Sequence, residues 1–184
     1  MKNFVLVTGG ARSGKSSFAE SLVADMGNNI AYIATAIAFD DGMKDRIKKH
    51  RESRPTEWIT VERYKDFKVL KDLGEFNKCD TVILDCMTIM VSNLLLEQKV
   101  DYDNCDMNTI DSIEVGIFEE VNNLLEVLKG KNVVIVTNEV GMGIVPSYRL
   151  GSIFRDIAGR VNQYLGSKAE KVYMTVSGIP MRIK

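Results

Sequence analysis

Residues 9–16 read Gly9-Gly10-Ala11-Arg12-Ser13-Gly14-Lys15-Ser16 and follow directly on the apolar run Phe4-Val5-Leu6-Val7. Strand, glycine loop and helix start therefore come in the order of a phosphate-binding P-loop. Glycines let backbone N–H groups turn inward around phosphate oxygens, Lys15 can reach β- and γ-phosphates, and the Ser16 hydroxyl can ligate Mg²⁺. Beyond the loop, Phe18, Ala19, Leu22, Val23 and Met26 fall at helical spacing. One helix face then packs while the positive N-terminal end of the dipole points at the anion. The expected ligand is a nucleoside triphosphate.

Further β-rich apolar runs occur at residues 30–33, 81–84, 133–136 and 172–176, with helical patterns between most of them. That alternation predicts a mostly parallel sheet flanked by helices, a three-layer α/β/α fold of the P-loop NTPase, RecA-like kind. The clearest crossover helix lies within 108–128, where Ile110, Ile113, Ile117, Val121, Leu124, Leu125 and Leu128 make a stripe and Gly130 supplies a stop. A second is expected over 148–165, burying Ile153, Phe154, Ile157, Ala158, Val161 and Leu165 and leaving Arg149, Arg155, Asp156 and Arg160 to solvent or a site. The acidic, aperiodic stretch 100–107 reads as a loop. With 184 residues, no repeat and no linker, residues 1–184 are expected to form one domain.

Charge narrows the partners. Lys plus Arg total 24 against 25 Asp plus Glu, which argues against general attraction to nucleic acid or membrane and for small molecules. Cys79, Cys86 and Cys105 are odd in number and lack metal-ligand spacing, so they read as reduced, packed thiols of a cytoplasmic protein. The four-residue apolar run before Thr8-Gly9 is too short for a signal-peptide core, and no later run reaches membrane length.

Three further segments carry candidate chemistry. Val82-Ile83-Leu84-Asp85 ends an apolar strand in a carboxylate, as needed to hold Mg²⁺ or its water beside a P-loop; a strand-end cap is the competing role. The single histidine, His50, lies in a basic stretch with Arg46, Lys49, Arg51 and Arg54. On a helix starting near Asp40 or Asp41 and closed by Pro55, it shares a face with Met43 and Ile47. The surrounding positive charge suits phosphates and favours neutral, nucleophilic imidazole; a solvated basic helix with an incidental histidine is the alternative. The loop 137–146, with Asn138, Glu139, Gly141 and Gly143, follows the fourth run at its carboxyl end, where open α/β sheets bind ligands. It either closes over a substrate, with Asn138 and Glu139 as polar contacts, or is a structural glycine connection.

The stretches VTGGARSGKS, YIATA, RIKKHRESRPTEW, TNEVGMGIVP, FRDIAGRVNQ and the terminal VSGI…IK, in this order, resemble the bifunctional adenosylcobinamide kinase/adenosylcobinamide-phosphate guanylyltransferase family. The match runs from the first strand to the last residues, weakest over 64–80 and 100–107. The resemblance implies phosphorylation of the adenosylcobinamide hydroxyl by ATP or GTP. GMP would then pass from GTP to adenosylcobinamide phosphate, releasing pyrophosphate, through a guanylylated histidine. That histidine falls on His50, and the chain has no other. The family's phosphate-binding segment is Gly9 to Ser16. Its further guanine-nucleotide contacts correspond to Ala34, Thr35, Ala36, Arg51, Glu52, Ser53, Arg54, Glu62 and Asp85. A homo-oligomer, a trimer, is also implied by the resemblance.

Two other functions share some of these features. A different small-molecule P-loop kinase would use Lys15, Ser16 and Asp85 without His50. A nucleotide-switched binding module of the GTPase or RecA-like type would gate a partner, but Thr137-Asn138-Glu139-Val140 is not the guanine-reading N-K-x-D motif, and no long basic surface suggests DNA.

Overall fold

The computed structural model describes residues 1–37 and 55–184. Seven strands, β1 (Asn3–Gly9), β2 (Ile30–Ala34), β3 (Ile59–Glu62), β4 (Thr81–Asp85), β5 (Asn132–Val136), β6 (Lys171–Val176) and β7 (Ile179–Arg182), form one sheet in the order β3-β2-β4-β5-β1-β6-β7. All neighbouring pairs are parallel except β6 with β7. The helices are α1 (Lys15–Met26), α2 (Gly74–Lys78), α3 (Met87–Glu97), α4 (Met107–Val127) and α5 (Arg149–Lys168), with a 3₁₀ segment at Phe67–Asp72. The mostly parallel α/β class expected from the pattern is the fold observed, and all five expected strands are present.

Alternation along the strands divides the core. Val5 and Val7 of β1, Tyr32 of β2, Ile83 of β4 and Val134 and Val136 of β5 meet Ala19 and Val23 of α1 on one face. Phe4, Leu6, Ile33, Val82, Leu84, Val133 and Ile135 point the other way, against α3, α4 and α5. Period-2 side-chain direction makes both faces of each central strand apolar, as a parallel sheet covered on both sides requires. In α4, Ile110, Ile117, Val121, Leu124 and Leu125 are buried, and Asp106 caps the helix by accepting from the Thr109 N–H at 2.9 Å. In α5, Ile153, Ile157, Ala158, Val161 and Leu165 are buried as expected and Phe154 is partly so.

Five elements were not expected from the pattern, among them the 3₁₀ segment and α2 ahead of β4. Strand β3 is a four-residue edge strand with no fully buried residue. Helix α3 buries Met87, Thr88, Met90, Val91, Asn93, Leu94 and Leu95, so its apolar residues go nearly all round and show no stripe. Strand β7 is joined to β6 through Ser177 and Gly178, both at positive φ (51° and 83°), the backbone of a two-residue hairpin turn whose twist suits adjacent strands.

Candidate active site

The strand register sets the site. Glu62, Ala34, Asp85, Val136 and Val7 form one row across β3, β2, β4, β5 and β1 at the carboxyl edge. Gly9 lies two residues beyond Val7, so the glycine loop and Asp85 emerge on the same side of the sheet. Strand β5 separates the P-loop strand from the Asp85 strand.

The glycine loop is held from several directions. Gly9, Arg12 and Gly14 all have positive φ, and a Cβ on Gly9 would lie 2.4 Å from the Thr175 carbonyl oxygen. Ser13 is buried; its Oγ is 2.8 Å from Thr175 Oγ1, and its carbonyl accepts from the Gly178 N–H at 2.9 Å. The β6–β7 hairpin is thus a buttress of the loop, and Gly178 Cα would lie only 3.1 Å from a Cβ at position 14. Lys15 is buried and donates from Nζ to the Gly10 carbonyl at 2.6 Å. Burial pushes the Lys15 pKa below the ordinary lysine value, opposed by the nearby Cys86 and Asp85. Burial also pushes the Cys86 thiol up, to about 11, so it is neutral at physiological pH.

Asp85 is half-buried, and its Oδ2 accepts from the Tyr32 hydroxyl at 2.9 Å. The adjoining backbone is pinned by Thr35, whose Oγ1 donates to the Cys86 carbonyl (2.8 Å) and accepts from the Cys86 N–H (2.9 Å). Asn93 of α3 donates to the Thr35 carbonyl at 2.8 Å. Ala34 and Thr35 are buried, whereas Ala36 is half-exposed and Glu62 exposed.

Beyond β5, a third set of polar groups joins the edge. Thr137 donates to Asn162 Oδ1 at 2.6 Å, and Asn162 Nδ2 donates to the Asn138 carbonyl at 3.0 Å and to Glu139 Oε1 at 3.4 Å. Glu139 Oε1 also accepts from Thr8 Oγ1 at 2.9 Å, and the Glu139 N–H donates to the Gly9 carbonyl at 3.1 Å. Asn138 is held to Thr88 Oγ1 through both its backbone N–H (2.8 Å) and its side-chain amide (2.9 Å).

Of the residues expected to form the site, Gly9 to Ser16, Ala34, Thr35, Ala36, Glu62 and Asp85 lie along this edge, Glu62 on the edge strand four positions from the P-loop strand. His50, Arg51, Glu52, Ser53 and Arg54, and the basic helix expected around them, lie outside the described residues. Arg149 takes no part: its guanidinium donates to the Tyr102 and Asp103 carbonyls at 2.8 and 3.0 Å. Arg160 pairs with Glu114, and Arg155 with Asp156. Sequence reasoning missed Tyr32, Thr88, Asn162 and Thr175. Asn162 alone carried a signal, as a polar residue inside the apolar stripe of α5.

The donor set also bears on a divalent cation. Ser16 and Asp85 offer a hydroxyl and a carboxylate, hard oxygen ligands of the kind with which Mg²⁺ is held alongside substrate phosphates rather than in an all-protein cage. No cluster of three or more His, Cys, Asp or Glu that could hold a metal by itself occurs among the described residues. No helix among them is long and apolar enough to cross a membrane.

Comparison with known proteins gives a match to the CobU family, described as cobinamide kinase / cobinamide phosphate guanyltransferase, over residues 5–183. The chain is 46% identical over 182 residues to the bifunctional adenosylcobalamin biosynthesis protein CobU of Escherichia coli (strain K12), covering 98% of this chain and 99% of the relative. Identity to the protein of the same name from Salmonella typhimurium is 45% over 184 residues, with 98% and 99% covered. For the bifunctional adenosylcobalamin biosynthesis protein CobP of Pseudomonas aeruginosa it is 38% over 183 residues, with 97% and 96% covered. With nearly the whole chain matched at this identity, the protein belongs to the CobU family and is a bifunctional enzyme, a cobinamide kinase and cobinamide-phosphate guanylyltransferase.

Proposed function

We propose that one P-loop domain spanning residues 1–184 performs both reactions on one triphosphate site, with His50 as the covalent carrier of GMP. Gly9, Gly10, Ala11, Arg12, Ser13 and Gly14 wrap the phosphates with backbone N–H groups, and Lys15 exchanges the Gly10 carbonyl for β- and γ-phosphate oxygens. Ser16 and Asp85 hold Mg²⁺, which neutralises phosphate charge when bound. Ala34, Thr35, Ala36, Glu62 and the basic segment Arg51, Glu52, Ser53 and Arg54 contact the nucleotide. The substrates are ATP or GTP as phosphoryl donor, GTP as GMP donor, and adenosylcobinamide and its phosphate as acceptors. The enzyme works in the cytoplasm as a homo-oligomer, a trimer.

In the kinase reaction the acceptor's hydroxyl oxygen bonds to the γ-phosphorus and a nucleoside diphosphate leaves. In the guanylyl transfer a neutral His50 nitrogen bonds to the α-phosphorus, the bond from that phosphorus to the bridging oxygen breaks, and pyrophosphate leaves with its charge met by Lys15. A phosphate oxygen of adenosylcobinamide phosphate then bonds to the same phosphorus. The phosphorus–nitrogen bond breaks, releasing adenosylcobinamide-GDP and returning neutral imidazole.

The observation that carries this reading is the convergence, in a member of this family, of the glycine loop, Lys15, Ser16 and Asp85 on one sheet edge. Incubation with α- or γ-labelled GTP and Mg²⁺, without corrinoid, tests it. The protein should retain the α-label, release pyrophosphate, and hold an adduct that is acid-labile and alkali-stable. His50→Ala should abolish retention and GMP transfer while sparing much of the kinase reaction. Wild-type GMP transfer by that variant, or a label that maps to a lysine, would overturn the histidine mechanism.

A further inference from the structure

The kinase reaction requires a proton to leave the acceptor's hydroxyl, and guanylyl transfer to a phosphate does not, because a phosphate attacks as an anion. A residue serving only the first reaction must therefore sit where the hydroxyl approaches the phosphates. A cleft of about 480 Å³ opens directly beside the P-loop, bounded by Ala11 of the loop, Thr88 and Ser92 of α3, Asn138 and Glu139 after β5, and Phe154 of α5. Among the described residues, Glu139 is the one ionisable side chain lining it. Asp85, the carboxylate near Lys15, does not line this cleft and is engaged by Tyr32.

The Glu139 carboxylate is oriented by one of its oxygens. Oε1 accepts from Thr8 Oγ1 and Asn162 Nδ2, and the residue's own N–H is tied to the Gly9 carbonyl. Among the described residues no hydrogen-bond donor is assigned to Oε2. A carboxylate fixed at one oxygen and open at the other, half-buried beside the phosphate loop, has the geometry of a proton acceptor. Asn162 lies inside an otherwise apolar buried helix stripe, so its polar side chain is explained by this anchoring.

The cleft continues away from the loop. A second recess of about 260 Å³ shares Ser92 and Phe154 with the first and extends to Leu96, Tyr148 and Leu150. Leu96 and Tyr148 are 56% and 64% exposed, large apolar groups left open at the far end of a path that starts at Ala11 of the P-loop. A bulky acceptor with an alcohol on a side chain fits that layout, its apolar body over Tyr148 and Leu96 and its hydroxyl at Glu139.

We propose that Glu139 is the general base of the kinase reaction, and that the Ala11–Phe154 cleft seats the acceptor's alcohol arm. The inference rests on the P-loop reading above but not on the His50 mechanism. As the oxygen bonds to the γ-phosphorus, the bond to the β,γ-bridging oxygen breaks and the nucleoside diphosphate departs with that electron pair. The hydroxyl proton passes to Glu139 Oε2 and from there to solvent.

The test is Glu139→Gln in the full-length enzyme, which keeps shape and hydrogen bonds but removes basicity, assayed in three ways. Phosphorylation of adenosylcobinamide from γ-labelled ATP should lose on the order of a hundredfold or more in kcat, with the acceptor KM within a few-fold of wild type. Retention of α-label from GTP, and GMP transfer to preformed adenosylcobinamide phosphate, should stay near wild type. Glu139→Asp should recover part of the kinase rate. An unchanged kinase kcat overturns the assignment. So does a parallel loss of all three activities, which would make Glu139 a strut of β1 acting through Thr8, and so does a Glu139→Asp variant no better than Glu139→Gln. Failure of wild-type protein to retain α-label would instead defeat the His50 mechanism and leave the kinase comparison standing.

Discussion

The loops after β1 and after β5 leave adjacent strands at the same edge of the sheet, yet they are built on opposite principles. The first is closed on itself and on its surroundings, through Lys15 to Gly10, Ser13 to Thr175 and Gly178, and a Gly9 position with no room for a side chain. The second is anchored at its root, where Thr137, Asn138 and Glu139 are bonded to Asn162, Thr88 and Thr8, and again at its far end, where the Pro146 carbonyl accepts from Ser152 Oγ at 3.3 Å. Past that root Met142, Ile144 and Val145 are exposed, Ile144 at 95%. Preorganised donors are worth most where charge is handled, since they need no rearrangement when the phosphates shift electron density. An apolar acceptor, by contrast, gains from a surface that can close over it. The difference fits the proposed roles, with the closed loop taking the triphosphate and the open one the acceptor.

The largest expected effect comes from the closed loop. If, as proposed, the ammonium serves a triphosphate site common to both reactions, Lys15→Ala should lower kcat/KM of kinase and guanylyl transfer alike by on the order of a thousandfold. Steady-state kinetics of the two reactions would show it, and a loss confined to one would separate their nucleotide sites. The same loop can be broken without touching a charge. Gly9→Ala places a Cβ 2.4 Å from the Thr175 carbonyl oxygen and 2.9 Å from Ser13 Oγ at a φ of +146°, so the loop or β6 must shift. The expected cost is about 2 kcal/mol, or roughly 4–8 °C in Tm, with weakened GTP binding by calorimetry. A variant with unchanged Tm and GTP affinity would show that the buttress from Thr175 is dispensable.

Much of this architecture was legible because it is written in periodicity. The strands at Phe4, Ile30, Thr81, Val133 and Val172 and the stripes of α4 and α5 each bury a face whose spacing is fixed by backbone geometry. Helix α3 escaped because it is packed on nearly every side, and a helix apolar all round has no period to read. Strand β3 escaped because four residues, three half-exposed and Glu62 exposed, give too short a pattern. Ser177-Gly178 did carry a hairpin signal, weakened by Pro180 in the following strand, a residue tolerated there because β7 is an edge. In the site, the glycine loop and Asp85 were visible as local motifs. The link from Thr8 to Glu139 spans 131 positions, and the link from Ser13 to Thr175 spans 162, so both exist only once the sheet brings β1 between β5 and β6.

The smallest expected effect tests the open loop by itself. Gly141 and Gly143 flank Met142, and a Cβ added at either position meets nothing within 4 Å, with neither residue at positive φ. Replacing both by alanine therefore introduces no clash and removes backbone freedom from the unfolded chain and from any closing movement alike. Stability should rise slightly, by about 0.4–1 kcal/mol per site where alanine is accommodated without strain. If the segment closes over the acceptor, the same change should raise the KM for adenosylcobinamide, or lower kcat with it, by a few-fold, because hinge positions affect both. Affinity for GTP should not move, since the root at Asn138 and Glu139 and the P-loop bonds are untouched. Measured side by side, a rise in Tm with slower corrinoid turnover and constant GTP affinity would sharpen the division between the two loops. An equal loss of GTP affinity would place this segment with the nucleotide and remove the distinction.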